Sequence, residues 1–529
     1  MKFAIGFSAA VCWLFGVGLD ANAGTPKDFG ALGNVVTLHT CGITTGKATL
    51  TCSGANFLVG DVGKAIVVST AGTAASPQNN ALVTTIAEFT NATTVRLNAN
   101  AINTAANALT YYGTDDTAAI RSCVNAGTLV SGHCTISDGV TFMMSNTDST
   151  ISIAGARFRP GGLINGAGTI VFAPQGLLAG GVNDRLFYLA STEAFNPKQV
   201  GASISKGATS FTCFASADCA LLTPGDWVIL TEKDPTATDV VFADWARVNS
   251  VVGTTVKVAT PFRMAFPNAR AFNNSGTPAV CIAASPCGLS FRKVSNVVQN
   301  VTIRDINVII PQVVNGNTAA SFGTRDTRGI TVVNTTVNSA VGQPFFSYLD
   351  QGLSFTNNVA NYGLLPPEFA SQVDFVISRN HWNSVSRPLF GTTTVPGNSG
   401  PDLDFGSGFG TFSYNAVGPS VNAGLETFYG LHDSMILGNI LGWIHSNPGS
   451  CVALQGAYRV LVFGNVCAGS DHGYGVVVAD AALAVNINSD SNEIWNNSMN
   501  GFALAPVACT GSLNTDNCFD PSPMALPLK

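Results

Sequence analysis

Three acidic residues recur at almost one interval ahead of a repeating asparagine. Glu368 lies 12 residues before Asn380, Asp402 lies 13 before Asn415 and Glu426 lies 13 before Asn439, with Asp404 beside the second. Only 11% of residues are charged and the formal net charge is −6, so acids in step stand out from the background. Carboxylates brought together repel, which leaves one protonated while another stays ionised. Glycoside hydrolysis uses such a pair: about 5 Å apart for a retaining nucleophile and acid, about 6.5–9.5 Å for inversion through water. The chemistry read from Glu368, Asp402, Asp404 and Glu426 is therefore acid/base cleavage of a glycosidic bond. A calcium site and a chance surface alignment are the competing readings.

Other polar residues fall into the same rhythm. Arg387, His445 and His472 follow Asn380, Asn439 and Asn465 by 7, 6 and 7 residues. They would line a turn facing substrate, with Phe428, Tyr429, Trp443 and Tyr474 offering rings for sugars to stack on; packing is the alternative for lone aromatics and histidines. Asp374, Asp433 and Arg459 each precede a repeating asparagine by six residues. Stacked, they would form either the acid-and-arginine set of a calcium-dependent lyase or a plain surface salt-bridge ladder.

Acids at one phase meet only if successive segments stack. The repeating unit is an apolar strand closed by a polar residue: Val301–Asp305, Ile330–Asn334, Leu353–Asn358, Phe375–Asn380, Phe412–Asn415, Met435–Asn439, Val460–Asn465 and Asn492–Asn497. The marked positions step by 29, 24, 22, 35, 24, 26 and 32 residues, the period of a β-solenoid. Residues at one phase then lie about 4.8 Å apart along the axis. Asparagine suits the sharp turn because it tolerates left-handed geometry, bonds its own backbone and can bond a stacked copy. These asparagines are read as structural.

A second repeat lies outside the coils. Gly46–Cys52, Gly60–Val67 and Thr93–Leu97 are matched in order by Gly207–Cys213, Gly225–Leu230 and Thr254–Val258. Each set predicts a compact β module, either sugar-binding or lengthening the wall of a groove. The second module is placed at about 203–265.

The first 23 residues read as an export signal: Lys2, an apolar run from Ala4 to Leu19, then Ala21-Asn22-Ala23 for cleavage. No later apolar run is long enough for a membrane span. Of 13 cysteines, Cys12 falls in the signal. The rest form close couples: Cys41 with Cys52, Cys123 with Cys134, Cys213 with Cys219, Cys281 with Cys287, Cys451 with Cys467 and Cys509 with Cys518. Sequence does not fix connectivity, but such clustering favours local disulfides in an extracellular or periplasmic compartment over zinc, for which no C-x2-C spacing occurs. No basic cluster points to nucleic acid or to a membrane surface.

Asp28-Phe29-Gly30-Ala31, Gly113-Thr114-Asp115-Asp116-Thr117-Ala118-Ala119-Ile120 and the strand–turn–strand Cys134–Phe142 resemble the leading segment of the pectate-lyase-like β-helix superfamily. The resemblance implies a secreted protein that handles polysaccharide, an all-β right-handed parallel β-helix, and a cap helix carrying the aspartate pair. Read on its own, that segment is a helix: Thr114 or Asp115 can cap it, Ala119, Ile120, Cys123 and Val124 make an apolar stripe, and Gly127 is a stop. The Asp115–Asp116 pair is assigned to capping, not catalysis.

The polygalacturonase set within that superfamily is incomplete: Asn-Thr-Asp occurs at 146–148 and 514–516, outside the middle coils, Asp-Asp lies only in the cap helix, no Arg-Ile-Lys exists, and His472-Gly473 stands alone. Tyr429-Gly430-Leu431-His432-Asp433-Ser434 resembles a segment of alginate-type C5-epimerases without its Asp-Pro, which would make His432 and Asp433 substrate-binding. The organisation expected is signal 1–23, leading strand, module and cap helix 24–127, and β-helix 128–529. The function expected is a monomeric polysaccharide hydrolase without cofactor. A calcium-dependent uronan lyase or a non-catalytic adhesive β-helix are the alternatives.

Overall fold

The computed structural model describes residues 24–510, except for residues 73, 76–77, 80, 127–132, 146–150, 155–161, 174–184, 234–239, 267–287, 312–321, 340–343, 362–366, 384–401, 419–422, 428–429, 443–449, 471–473, 480–490 and 503–504. Three parallel sheets of ten strands each wind as the β-helix the sequence leads one to expect. Each coil gives one strand to each sheet. The first sheet runs from His133–Thr135 to Glu493–Trp495, the second from Thr141–Met144 to Ser498–Phe502, and the third from Ile151–Ala154 to Ala505–Thr510.

Alternation along short strands sets what faces in. In the first sheet Ile303, Val332, Phe355, Ile377, Phe412, Ile436, Val462 and Ile494 share one register across eight strands. All are buried. Each contributes about 1.5–3 kcal/mol of burial relative to exposure, which is what holds coils of such short strands together.

The asparagine ladder lies between the first and second sheets. Asn358, Asn380, Asn415, Asn439 and Asn465 are buried. Asn380 accepts at Oδ1 from the Asn358 N–H at 2.9 Å and from its Nδ2 at 3.1 Å, and the pattern repeats from Asn380 to Asn415 and onward to Asn497. Two details differ from expectation. The ladder asparagines are not the left-handed residues: that conformation belongs to the preceding position, at Asp305, Asn334, Asn357, Arg379, Tyr414, Gly438, Gly464 and Asn496. Asn334 is therefore one residue out of step, and Thr335 holds the ladder place, donating through N–H and Oγ1 to Asn358 Oδ1 at 2.9 and 2.8 Å. The ladder asparagine faces inward because its short amide both accepts from the coil before and donates to the coil beyond, which satisfies its polar atoms in a buried corner.

The cap helix spans Thr117–Ala126. Asp115 accepts from the Thr117 hydroxyl at 2.6 Å, while Asp116 accepts from the N–H groups of Leu32 and Gly33 at 2.8 and 3.1 Å. The pair thus caps the helix and pins the leading segment to it.

The two β modules share one plan. In the first, Val36–Ile43 pairs with Thr49–Cys52 and Ala105–Gly113, Ala65–Val68 with Leu82–Asn91 and Ala105–Gly113, and Thr94–Leu97 closes the barrel against Thr49–Cys52 and Leu82–Asn91. In the second, Gly288–Ser295 pairs with Lys198–Gln199 and Trp227–Lys233, and Val240–Val252 pairs with Trp227–Lys233 and Thr255–Val258. Ser210–Thr212 pairs with Thr255–Val258, and a bridge between Val200 and Cys213 supplies the sixth contact. Asp61 and Asp226 fill matching places, accepting from the N–H three residues back at 2.8 and 2.7 Å and from Lys64 and Lys293 at 2.7 and 2.8 Å. The strands of the second module draw on residues from Thr192 to Ser295, wider than the 203–265 of the repeat.

Disulfides join Cys41 to Cys52, Cys123 to Cys134, Cys213 to Cys219 and Cys451 to Cys467, four of the six couples expected. Cys281 and Cys287 both lie outside the described residues, as does Cys518, and the side chain of Cys509 lies outside them too. Pairing of Cys281 with Cys287 and of Cys509 with Cys518 therefore stays an expectation from sequence spacing.

Candidate active site on the third sheet

The outward face of the third sheet carries the acids. Tyr188, Gly323, Phe346, Glu368, Asp402, Glu426, Ala453 and Val477 are successive Cα partners across eight strands. The registers counted from the asparagines thus bring Glu368, Asp402 and Glu426 into one column on adjacent strands, about 4.8 Å apart at the backbone. Their neighbours in sequence, Phe369, Leu403 and Leu425, point into the core, so alternation turns the acids outward. The backbone of Asp404 pairs with that of Ala370, two residues further along; its side chain lies outside the described residues.

One side of this face is walled by the second barrel. The main chain of Val240–Val252 runs directly against two helix corners. A Cβ added to Gly406 would stand 2.4 Å from the Val241 carbonyl oxygen, and one added to Gly430 would stand 2.9 Å from it. These glycines sit two residues after Asp404 and four after Glu426, and both have left-handed φ, +72° and +99°. The wall is fastened nearby by charge: Arg263 reaches Asp244 in its own barrel at 3.0 Å and Asp374 on the β-helix. Arg292 likewise joins Glu193 to the buried Asp326.

Asp374, Asp433 and Arg459 do stack at one corner, all in the left-handed conformation. They form ion pairs: Arg459 donates to both carboxylate oxygens of Asp433 at 2.7 and 2.6 Å, and Asp374 is taken by Arg263. Burial alone would raise the Asp433 carboxyl, but hydrogen bonds from His432 and Arg459 hold it well below the usual range.

His432 is a correction. Expected to bind substrate, it has a side chain that is fully buried. Its ring lies against Gly408, stacks on Tyr458 at 5.2 Å and meets Phe409 and Phe242 edge-on at 5.1 and 6.2 Å. Nδ1 faces Asp433 at 3.1 Å, and burial pushes the imidazole pKa down. The residue cements the barrel to the coil and is out of reach of a polymer. Asp433 is held by Arg459 in the ion pair described above. Tyr474 lies on the third sheet in register with Ser450, three residues away from the acid column. Arg387, Tyr429, His445 and His472, with Phe428 and Trp443, lie outside the described residues.

Residues not singled out from sequence complete the face. Arg185 lies over Gly323 between the rings of Tyr188 and Phe346, and Arg325 lies by Tyr348 and pairs with Glu193 at 3.1 Å. The alternating runs Phe322–Arg325 and Phe345–Tyr348 carried the signal, but no ladder asparagine precedes Asn358 to count from. Among the described residues no group of three or more His, Cys, Asp or Glu is arranged to hold a metal ion.

No family model and no curated protein matches the sequence. Solved structures similar to this one include the tailspike protein gp49 from Pseudomonas phage LKA1, at 12% identity and TM-score 0.39 over 92% of this chain and 79% of that one. The surface adhesin PfbA of Streptococcus pneumoniae aligns at 9% identity and TM-score 0.36 over 73% and 88%. Endo-xylogalacturonan hydrolase from Aspergillus tubingensis aligns at 9% and 0.31 over 75% and 90%. None of these alignments assigns an activity or a ligand to this chain.

Proposed function

We propose that this protein is an exported enzyme that hydrolyses a polysaccharide, with Glu368, Asp402 and Glu426 as its acid/base carboxylates. The observation that carries the reading is their common register on three consecutive strands, facing outward beside a barrel wall. At the ordinary strand spacing of about 4.8 Å, neighbouring members would suit a retaining pair and the outer two an inverting pair with room for water. Like charges in one column oppose simultaneous ionisation. One carboxyl then protonates the glycosidic oxygen as the bond to the anomeric carbon breaks. A second, ionised, attacks that carbon or takes the proton of the attacking water. A chain laid along the third sheet would run past all three. The disulfides agree with an oxidising compartment.

The test is the mature chain on plant, bacterial and algal polysaccharides, with and without chelator, alongside Glu368→Gln, Asp402→Asn and Glu426→Gln. New reducing ends, abolished by at least two of the three substitutions, support the reading. Unsaturated, chelator-sensitive products would show a lyase, and binding without cleavage an adhesive protein.

A further inference from the structure

Arg185 is a buried cation with no salt bridge among the described residues. It is 8% exposed, and its Nε makes no hydrogen bond. Buried cations are ordinarily paired, because desolvating a charge is costly. Here the guanidinium is instead gripped by two rings, its Cζ 4.9 Å from the centroid of Tyr188 and 4.4 Å from that of Phe346. Space for it comes from Gly323, where a Cβ would stand 2.4 Å from the arginine Cδ.

Tyr188, Gly323 and Phe346 are the members of the outward column that leads into Glu368, Asp402 and Glu426. The cation is thus fixed on the face that bears the acids, and the strand of Glu368 lies two strand spacings beyond Gly323, roughly 10 Å. Burial draws the Arg185 pKa down, and the charge of Glu368 acts on it in the opposite sense.

We infer that Arg185 is a built subsite for an anionic substituent, a carboxylate or a sulfate, on a saccharide lying along the third sheet. The inference rests on the polysaccharide reading above. A planar guanidinium matches an oxyanion with two parallel N–H donors, and rings that hold it in place reduce the ordering lost on binding. A neutral chain would leave the buried cation as it stands, so the site selects by charge.

The experiment measures binding of the mature protein to alginate and its carboxyl-reduced counterpart, and to dextran sulfate and dextran. One acidic member is expected to bind about ten- to a hundredfold more tightly than its neutral partner. Preference for alginate identifies a carboxylate, and preference for dextran sulfate a sulfate. Arg185→Gln should erase the preference, Gly323→Ala should weaken it by displacing the side chain, and Arg185→Lys should keep part of it. Equal binding of acidic and neutral chains, or an unchanged preference in Arg185→Gln, overturns the inference and leaves the hydrolase reading standing. Unchanged cleavage in the acid-to-amide variants, with the charge preference intact, does the reverse. Binding of no chain overturns both. Should Arg185→Gln fail to fold, the wild-type comparison and Gly323→Ala decide.

Discussion

The indole N–H of Trp245 donates to the main-chain carbonyl of Leu349 at 3.1 Å, fastening the second barrel to the β-helix across 104 residues of sequence. Arg263 makes the companion contact by holding Asp244 and Asp374 together. Asp244 is buried, and burial raises its pKa against the pull of Arg263. Arg263→Ala removes the partner of a buried carboxylate and is expected to cost about 1–3 kcal/mol. Trp245→Phe should cost about 1 kcal/mol for the lost hydrogen bond. Urea denaturation measures both; two losses below about 0.5 kcal/mol would mean that other contacts hold the barrel.

Catalysis is tested by substitutions that keep shape. Asp402→Asn and Glu426→Gln should each lower turnover about 10²–10⁴-fold, with far-ultraviolet circular dichroism and melting temperature unchanged. Full activity in both would remove these residues from the chemistry.

The asparagine ladder makes a positional prediction. Asn415→Ala strips acceptors from the Asn380 N–H and Nδ2 and a donor from the Ile377 carbonyl, all buried. At about 1–3 kcal/mol for each unsatisfied group, the loss should be at least about 2 kcal/mol. Asn334→Gly should be nearly neutral, since Asn334 is exposed and left-handed, a conformation that suits glycine. Equal losses at the two sites would contradict the register.

A buried acid sets the pH response. Asp350 is enclosed inside the coil among Thr324 and Thr327, and burial pushes its pKa up to about 7. In the unfolded chain an aspartate titrates near 3.9. The folded state therefore binds the extra proton, and the stabilisation is complete below about pH 4 and lost as pH rises through about 7. At 1.36 kcal/mol per unit the effect is at most roughly 4 kcal/mol. Asp326, raised by burial to about 6, acts in the same direction. Asp350→Asn should flatten the decline between pH 4 and 8 in denaturation measured across that range; an unchanged slope would place the titration elsewhere.

The solenoid was legible because its period is carried mainly by asparagines, whose amides suit a buried, doubly bonded corner. The same regularity placed Glu368, Asp402 and Glu426 correctly relative to one another from counting alone. The misplaced Asn334 shows the limit: two adjacent corner positions both accept asparagine, one for its backbone and one for its amide. His432 failed for a different reason. The residue sits in a short polar run that looks exposed, and the barrel strand that covers it comes from some 190 residues earlier, at Phe242. Arg185 was invisible because, besides Tyr188 three residues on, its partners are a glycine and a ring on two later coils, with no periodic residue nearby to fix their phase.

The bridge from Cys451 in the third sheet to Cys467 in the second crosses the interior of one of the last coils. A stack in which each coil touches only its neighbours can come apart from an end, like a spring pulled open one loop at a time. Here the strands beyond residue 467 can peel away, but the loop between the two cysteines stays closed on itself. Fraying from the C-terminal side therefore stalls one coil beyond Glu426, so the face that carries the acids stays wound while the end of the rod loosens.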